Sequence, residues 1–298
     1  MNRLQLMELV RARQVGQVSR REFLRQTTAV LGSFAAANTL LAACSAPVSP
    51  EPPPVVDESQ PVAEPGTSAD GAFTTGIVTY PGKEGEELMG YLAAETDAAA
   101  RPAVIVLQEW WGLNDHIKEV ARRFAGAGYV ALAPDLYHGV VTTEPDEARK
   151  QAMELGMRDA VGEIQQAVAY LRAQPSVTGK VGIVGFCMGG GLVLKTAVSD
   201  PSLNAGIVFY GSPLTPGEAA QMQIPILSFI GTADSIPVSG VEAMHAAFDG
   251  ANVPNAFQVY DGAQHAFFND TRASYNAEAA ADAWERSLAW FGQYLAAS

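Results

Sequence analysis

The residues that most directly suggest chemistry are Gly185-Phe186-Cys187-Met188-Gly189, a glycine-flanked turn with a cysteine at its centre. A short apolar run at 181–184 precedes it and a helix-like segment follows, which predicts a strand–turn–helix unit. The glycines allow strand and helix to approach closely beneath a side chain raised above the sheet. Unpaired N–H groups at the start of the helix favour an anion, so the turn predicts a thiolate nucleophile rather than a buried structural cysteine.

A thiolate nucleophile needs a base, and the base needs an orienting acid. His265 is the only one of the four histidines that lies downstream of the turn on a loop at a strand end. Asp234 follows the preceding predicted strand and is the favoured acid. Asp261 is the rival, but it lies close to His265 in sequence and is expected to cap a turn. The order Cys187, Asp234, His265 matches the nucleophile–acid–histidine order of α/β-hydrolases.

The other histidines have predicted positions that suit them less well for this role. His245 falls within a predicted helix, His116 lies in the first turn of another, and His138 follows a strand, where it could reach the rim of a site. Four histidines and two cysteines without ligand spacing argue against a zinc cluster. We therefore expect no metal and no organic cofactor.

The elements that must position these residues alternate between strand and helix from about residue 72 onwards. This alternation predicts an α/β fold with a mostly parallel sheet covered by helices on both faces. An antiparallel pair at 74–80 and 87–93 leads, and Asn114 is the predicted N-cap of the first helix. Further strands are predicted at 103–107, 129–133, 181–184, 205–210, 224–230 and 256–260. The candidate residues follow the C-terminal ends of these strands, where active sites lie in such sheets.

Composition limits the classes of partner. The 298-residue chain is 48% hydrophobic and 17% charged, as expected for a globular protein with a sizeable core. Its net charge of −13 argues against nucleic acid. We expect a monomer that acts on a small molecule.

The sequence of the N-terminal region predicts an export signal rather than a part of the folded domain. Ser19-Arg20-Arg21-Glu22-Phe23-Leu24 resembles a twin-arginine signal, and Leu41-Ala42-Ala43-Cys44 resembles a lipobox. Residues 1–43 are therefore predicted to be a lipoprotein-type signal peptide, cleaved before a lipidated Cys44. Residues 44–72 are rich in proline and are predicted to be a disordered tether. Residues 73–298 are predicted to be the folded domain. The mature protein is predicted to be anchored to a membrane outside the cytoplasm.

Four ordered motifs resemble the dienelactone hydrolase family. They are the segments 106–114 (VLQEWWGLN), 133–139 (APDLYHG), 185–190 (GFCMGG) and 262–267 (GAQHAF). The similarity extends over about residues 73–296. It implies the α/β-hydrolase fold and hydrolysis of an ester or lactone of the carboxymethylenebutenolide type.

The resemblance also implies roles beyond the triad. In the family, a glutamate after the third strand accepts a hydrogen bond from the resting thiol, and Glu109 occupies that place. Like-charge repulsion from Glu109 would keep Cys187 un-ionised until substrate arrives. The oxyanion hole would be formed by the backbone N–H groups of Met188 and Trp110. Four side chains are expected to be pocket walls: Trp110, Trp111, Tyr137 and His138.

One departure from the family concerns the substrate. Members that act on dienelactones bind the substrate carboxylate with two arginines, and those places hold Gly139 and Asn269 here, with Arg272 nearby. We therefore expect acyl-transfer chemistry on an ester or lactone of undefined structure. The alternatives are a catalytically silent, membrane-tethered binding protein on the same fold, which fold alone would not exclude, or a thioesterase.

Overall fold

The computed structural model describes residues 73–96 and 99–296. The predicted signal peptide, Cys44 and the tether lie outside the described residues. Within them, no helix is long and apolar enough to cross a membrane.

Eight strands form one sheet in the order β1-β2-β4-β3-β5-β6-β7-β8. The strands are β1 (Phe73–Pro81), β2 (Glu87–Glu95), β3 (Arg101–Leu107), β4 (Val130–Pro134), β5 (Val177–Phe186), β6 (Ala205–Phe209), β7 (Ile226–Gly231) and β8 (Asn255–Tyr260). β1 pairs antiparallel with β2, and β2 pairs antiparallel with β4. All other pairs are parallel. The prediction of a leading antiparallel pair followed by a parallel sheet is confirmed.

The described residues form seven helices, of which the last follows β8. They are α1 (Asp115–Gly126), α2 (Pro145–Glu154), α3 (Met157–Arg172), α4 (Met188–Ser199), α5 (Pro216–Ala219), α6 (Val238–Gly250) and α7 (Ala277–Tyr294). The order of strands and helices is that of the α/β-hydrolase fold, as predicted.

Continuous apolar runs and a helix N-cap explain why the central strands and the first helix form where they do. β4 and β6 are buried along their whole length, as continuous apolar runs in a doubly covered parallel sheet should be. α1 begins where predicted, because the side chain of Asn114 accepts a hydrogen bond from the backbone N–H of Ile117 at 3.2 Å. These elements form the rigid frame that carries the loops of the site.

Several strand ends differ from the prediction by one to four residues, and the short α5 was not predicted. Two further differences have a clear physical reason. α2 was not predicted, since Ala148 is its only buried residue and its sequence therefore has no apolar face to reveal it. β7 begins at Ile226 rather than at residue 224, because Pro225 has no N–H to donate to the ladder. Neither difference moves a candidate residue.

Candidate active site

The turn between β5 and α4 forms a sharp elbow at Cys187. Cys187 has φ 54° and ψ −115°, a conformation that L-residues adopt only when the surrounding structure imposes it. Its backbone N–H donates to the carbonyl of Phe209 in β6 at 3.0 Å, which holds the elbow to the sheet. Cys187 is half-buried at the N-terminus of α4 and is the one free cysteine of the described residues.

Glycines permit this elbow because other backbone occupies the space of a side chain. A Cβ on Gly185 would lie 2.2 Å from the carbonyl oxygen of Gly189. A Cβ on Gly189 would lie 2.5 Å from the carbonyl oxygen of Gln108, in the loop after β3. The start of α4 therefore packs directly against the segment that carries Glu109 and Trp110.

The loops after β7 and β8 bring an acid and a histidine together. His265 Nδ1 lies 2.9 Å from Asp234 Oδ2 and 3.1 Å from Asp234 Oδ1. The Asp234 side chain is fully buried and also accepts from the backbone N–H of Ile236. The carboxylate of the rival, Asp261, instead accepts from the Thr232 hydroxyl at 3.0 Å. Asp234 is thus the acid that contacts His265.

Electrostatics favour a positive charge on His265. Burial alone would lower the pKa of His265, but the hydrogen bond to Asp234 and the interaction with Cys187 outweigh it and raise the pKa to about 10. Burial would likewise raise the pKa of Asp234, yet hydrogen bonds from His265 and Ile236 leave that pKa below its usual value. A cysteine, a histidine and an aspartate are thereby coupled in one charge network.

Two backbone donors are available beside the elbow. Within the described chain, the N–H groups of Met188 and Trp110 donate to no backbone or side-chain acceptor. Met188 is the first residue of α4, so its N–H also carries the partial positive charge of a helix N-terminus. Free donors of this kind suit a developing oxyanion.

Glu109 is a buried carboxylate rather than a surface one, with 1% of its area exposed. Its Oε2 accepts from Asn269 Nδ2 at 2.7 Å, and its Oε1 accepts from the Tyr210 hydroxyl at 3.4 Å. Among the described residues, Cys187 is not one of its hydrogen-bond partners. This arrangement differs from the thiol-to-glutamate hydrogen bond that the resemblance implies.

Sequence reasoning missed Tyr210, and it considered Asn269 only as the place of a substrate-binding arginine. Tyr210 follows the end of β6, has a φ of 39° and is fully buried, with its ring centre 5.1 Å from that of His265. Its position after a strand end, directly before Gly211, was the available signal. The contact between Asn269 and Glu109 joins loops 160 residues apart and leaves no local trace in the sequence.

The side chains predicted to form the pocket walls make different contacts from one another. Trp110 and Trp111 pack edge-to-face at 4.9 Å, and the Arg272 guanidinium stacks over Trp111 at 4.0 Å. The Tyr137 hydroxyl lies 3.3 Å from Met188 Sδ. Burial, and then charge at Cys187, raise the pKa of Tyr137 to about 12, so its phenol stays neutral near that cysteine.

His138 contacts α3. It has a φ of 51°, and its Nε2 lies 3.3 Å from Glu163 Oε1. Gly139, next to it, donates its N–H to Asp135 Oδ2 at 2.7 Å and has no side chain with which to bind a ligand.

The two remaining histidines are held within the fold. His245 contacts Asn255 Oδ1 at 2.7 Å and Ser228 Oγ at 2.9 Å, in the packing between α6 and the sheet. His116 Nδ1 lies 3.2 Å from Asp270 Oδ1. In the part of the chain that the structure describes, no three His, Cys, Asp or Glu side chains are grouped to hold a metal ion.

Cys187, Asp234 and His265 thus follow the ends of strands in one sheet, and known proteins similar to this chain have the same fold. The model of the dienelactone hydrolase family matches residues 88–295. The chain belongs to this family. It is 36% identical over 232 residues to a Synechocystis protein named as a carboxymethylenebutenolidase, with 71% of this chain and 94% of that protein covered. A Methylorubrum extorquens protein of the same name is 35% identical over 254 residues, covering 79% and 87% of the two chains.

Solved structures of the family have the same architecture. One, of a Klebsiella pneumoniae protein named as a dienelactone hydrolase, is 32% identical with a TM-score of 0.70, and covers 75% of this chain and all of that one. Another is the structure of a dienelactone hydrolase-like promiscuous phosphotriesterase from metagenomic libraries. It is 28% identical with a TM-score of 0.69, and covers 76% of this chain and 100% of that one. This member of the dienelactone hydrolase family is a hydrolase of esters or lactones. That conclusion favours the enzyme over the silent binding protein.

Proposed function

We propose that the chain hydrolyses its ester or lactone through a covalent acyl-enzyme on Cys187, with His265 as the acid–base group and Asp234 as its orienting acid. One observation carries this proposal. A histidine bound to a buried carboxylate at 2.9 Å also interacts with a cysteine held at a strained elbow. These are the relations that nucleophilic catalysis requires.

In the acylation step, the Cys187 thiolate attacks the carbonyl carbon and a C–S bond forms. The oxyanion accepts hydrogen bonds from the N–H groups of Met188 and Trp110. As the tetrahedral intermediate collapses, the C–O bond breaks and His265 donates its proton to the leaving oxygen. Asp234 holds the ring so that Nε2 faces the reacting atoms, since it occupies Nδ1.

In the deacylation step, water attacks the thioester and His265 takes the proton from that water. The C–S bond breaks, the carboxylic acid leaves and the thiolate returns. No metal or organic cofactor takes part in either step.

The substrate proposed here does not depend on a carboxylate anchor. Gly139 offers no cation, and Asn269 is fully buried with its amide already bonded to Glu109. Arg272 is a cation in contact with one of the pocket walls, stacked on Trp111. Neutral esters and lactones with aromatic or alkyl groups suit walls made of Trp110, Trp111 and Tyr137. A thioester is cleaved by the same steps, with sulfur as the leaving atom.

The acyl-enzyme can be detected directly. Full-length protein quenched during turnover of p-nitrophenyl acetate is expected to gain the mass of one acetyl group on the peptide that contains Cys187. The adduct should accumulate further in His265→Gln treated with the same ester, because deacylation then lacks its base. An acetyl group on another residue, or none under single-turnover conditions, would contradict the covalent mechanism.

We further propose that the enzyme is exported and held at a membrane by lipid on Cys44. The support is the order of three features within residues 1–44: the segment that resembles a twin-arginine signal, a mildly apolar stretch at residues 27–43, and the segment that resembles a lipobox. Export in a folded state would deliver the reactive thiol already packed in its site.

A single substitution tests the anchor. Cys44→Ser is expected to move the protein from the detergent-soluble membrane fraction to the soluble fraction of its natural host, because the lipid acceptor is lost. Arg20→Lys with Arg21→Lys should instead block export and retain the precursor in the cytoplasm. Equal membrane association of Cys44→Ser and the unaltered chain would contradict lipidation at this residue.

A further inference from the structure

Glu109 is held by two donors that are both neutral. Asn269 Nδ2 lies 2.7 Å from one carboxylate oxygen, and the Tyr210 hydroxyl lies 3.4 Å from the other. All three side chains are almost completely buried. Within the described residues, no lysine, arginine or histidine forms an ion pair with Glu109. Its position therefore depends on hydrogen bonds, which have a stricter geometry than charge attraction alone.

The orientation of the Asn269 amide is set by its own loop. Asn269 Oδ1 accepts from the Thr271 backbone N–H at 3.0 Å and from the Thr271 hydroxyl at 2.7 Å. With the amide oxygen occupied by two donors, the amide nitrogen must face Glu109. Asn269 thus presents a fixed donor, whereas a free amide would present either group.

The loop that carries Asn269 also carries the base. His265 lies four residues before Asn269, and Phe267 and Phe268, between them, are buried. Phe268 packs against Phe186 at 5.3 Å and Phe209 at 4.8 Å, below the elbow. One rigid loop therefore positions the imidazole and the donor to Glu109 together.

We infer that Asn269 is a positioning residue that holds the Glu109 carboxylate away from the Cys187 thiol, so that the cysteine pairs with His265. This inference rests on the proposed role of Cys187 as nucleophile. It gives Glu109 a different resting partner from the one that the family resemblance implies, and it assigns the difference to a particular amide.

The charged groups around Glu109 are consistent with this role. Burial, chiefly, lowers the pKa of His116, so this imidazole faces Glu109 mostly neutral at pH 7. Burial and the negative charge of Glu109 keep the pKa of Tyr210 well above its usual value, so the phenol keeps its proton. Cys187 and Asp234 also act electrostatically on Tyr210, and the Tyr210 ring centre lies 5.1 Å from that of His265. A carboxylate among neutral donors keeps a strong demand for hydrogen bonds. The thiol of Cys187, which acts on the same Tyr210 as Glu109 does, is a donor that could meet it.

The test measures alkylation of Cys187 by iodoacetamide in the full-length protein, followed on the Cys187 peptide by mass spectrometry between pH 5 and 10. In Asn269→Ala, Glu109 retains only its longer bond to Tyr210 and is expected to accept from the thiol instead. The rate at pH 7 should then fall about tenfold, as a one-unit rise in the pH midpoint would produce. Ser274→Ala, a control in the same loop with no bond to Asn269 or Glu109, should leave the profile unchanged.

A second background separates positioning from a general effect on folding. In Glu109→Gln the charged acceptor is absent, so adding Asn269→Ala should change the rate by less than about twofold. The inference would be overturned if Asn269→Ala lowered the alkylation rate about tenfold in the Glu109→Gln protein as well. It would also be overturned if Asn269→Ala left the alkylation rate of the otherwise natural protein unchanged. If Asn269→Ala unfolds, Tyr210→Phe removes the other donor while keeping the ring, and it should shift the midpoint in the same direction. An unchanged midpoint in Tyr210→Phe would then overturn it.

The readout is independent of turnover. If Cys187 were not the nucleophile, Cys187→Ala would still hydrolyse esters, while the alkylation profiles would still report whether Asn269 acts on the thiol. Failure of the inference and failure of the proposed mechanism therefore give different results.

Discussion

Replacement of Cys187 by alanine is expected to lower kcat/KM for p-nitrophenyl acetate by about 10³-fold or more, because loss of the nucleophile removes the covalent route entirely. The residual rate would come from the oxyanion donors at Met188 and Trp110 and from substrate binding. The measurement is the initial rate of p-nitrophenol release by full-length protein, with thermal unfolding recorded in parallel. The fold should survive, since Cys187 is half-buried and the substitution removes only its sulfur.

The chain provides its own matched control for this result. Cys44 is the other cysteine of the sequence and lies in the predicted lipobox. Cys44→Ser should hydrolyse the ester at the unaltered rate, while Cys187→Ser should fall between the alanine variant and the natural chain. A Cys187→Ala variant with full activity would show that another group performs the attack.

The sequence alone was sufficient to predict those strands and helices that bury an apolar face. β3, β4 and β6 are short apolar runs, and α1 combines a strong N-cap with a buried stripe. Local pattern and tertiary burial agree in these elements, so their order predicts the sheet and its functional edge. α2 was missed because tertiary context, not an apolar face, decides whether so polar a segment becomes helical.

The candidate site was predicted to the extent that chain order implies position. Cys187, Asp234 and His265 each follow a strand, and parallel strands bring such ends to one edge. The partners of Glu109 could not be found in this way. Asn269 and Tyr210 reach it through side-chain directions that depend on a positive φ at Tyr210 and on the Thr271 turn. The family resemblance suggested a thiol partner for Glu109, but a resemblance carries over residue types and not the hydrogen bonds of one chain.

Replacement of Gly185 by alanine is expected to destabilise the domain by about 3 kcal/mol, because the added Cβ overpacks a rigid contact. It would lie 2.2 Å from the Gly189 carbonyl oxygen and 2.9 Å from Val193 Cγ2. Backbone of β5 and α4 must separate to relieve that contact, and the separation would displace Cys187 from His265. Tm should fall by roughly 6–12 °C for a domain of this size. Ester hydrolysis should fall more steeply than the folded fraction, as calorimetry and initial rates on the same sample would show.

Gly191 is the matched control, since it also lies at the start of α4 but has space around it. Its nearest atoms to an added Cβ are Ser212 N and O, both 3.9 Å away. In a helix, alanine is favoured over glycine by about 1 kcal/mol, so Gly191→Ala should raise Tm slightly and preserve hydrolysis. Equal behaviour of the two variants would contradict the close approach of strand and helix at Gly185. A stable but inactive Gly185→Ala would instead show that the contact is relieved by a local shift of the elbow. That shift would move the Cys187 thiol without lowering the stability of the fold.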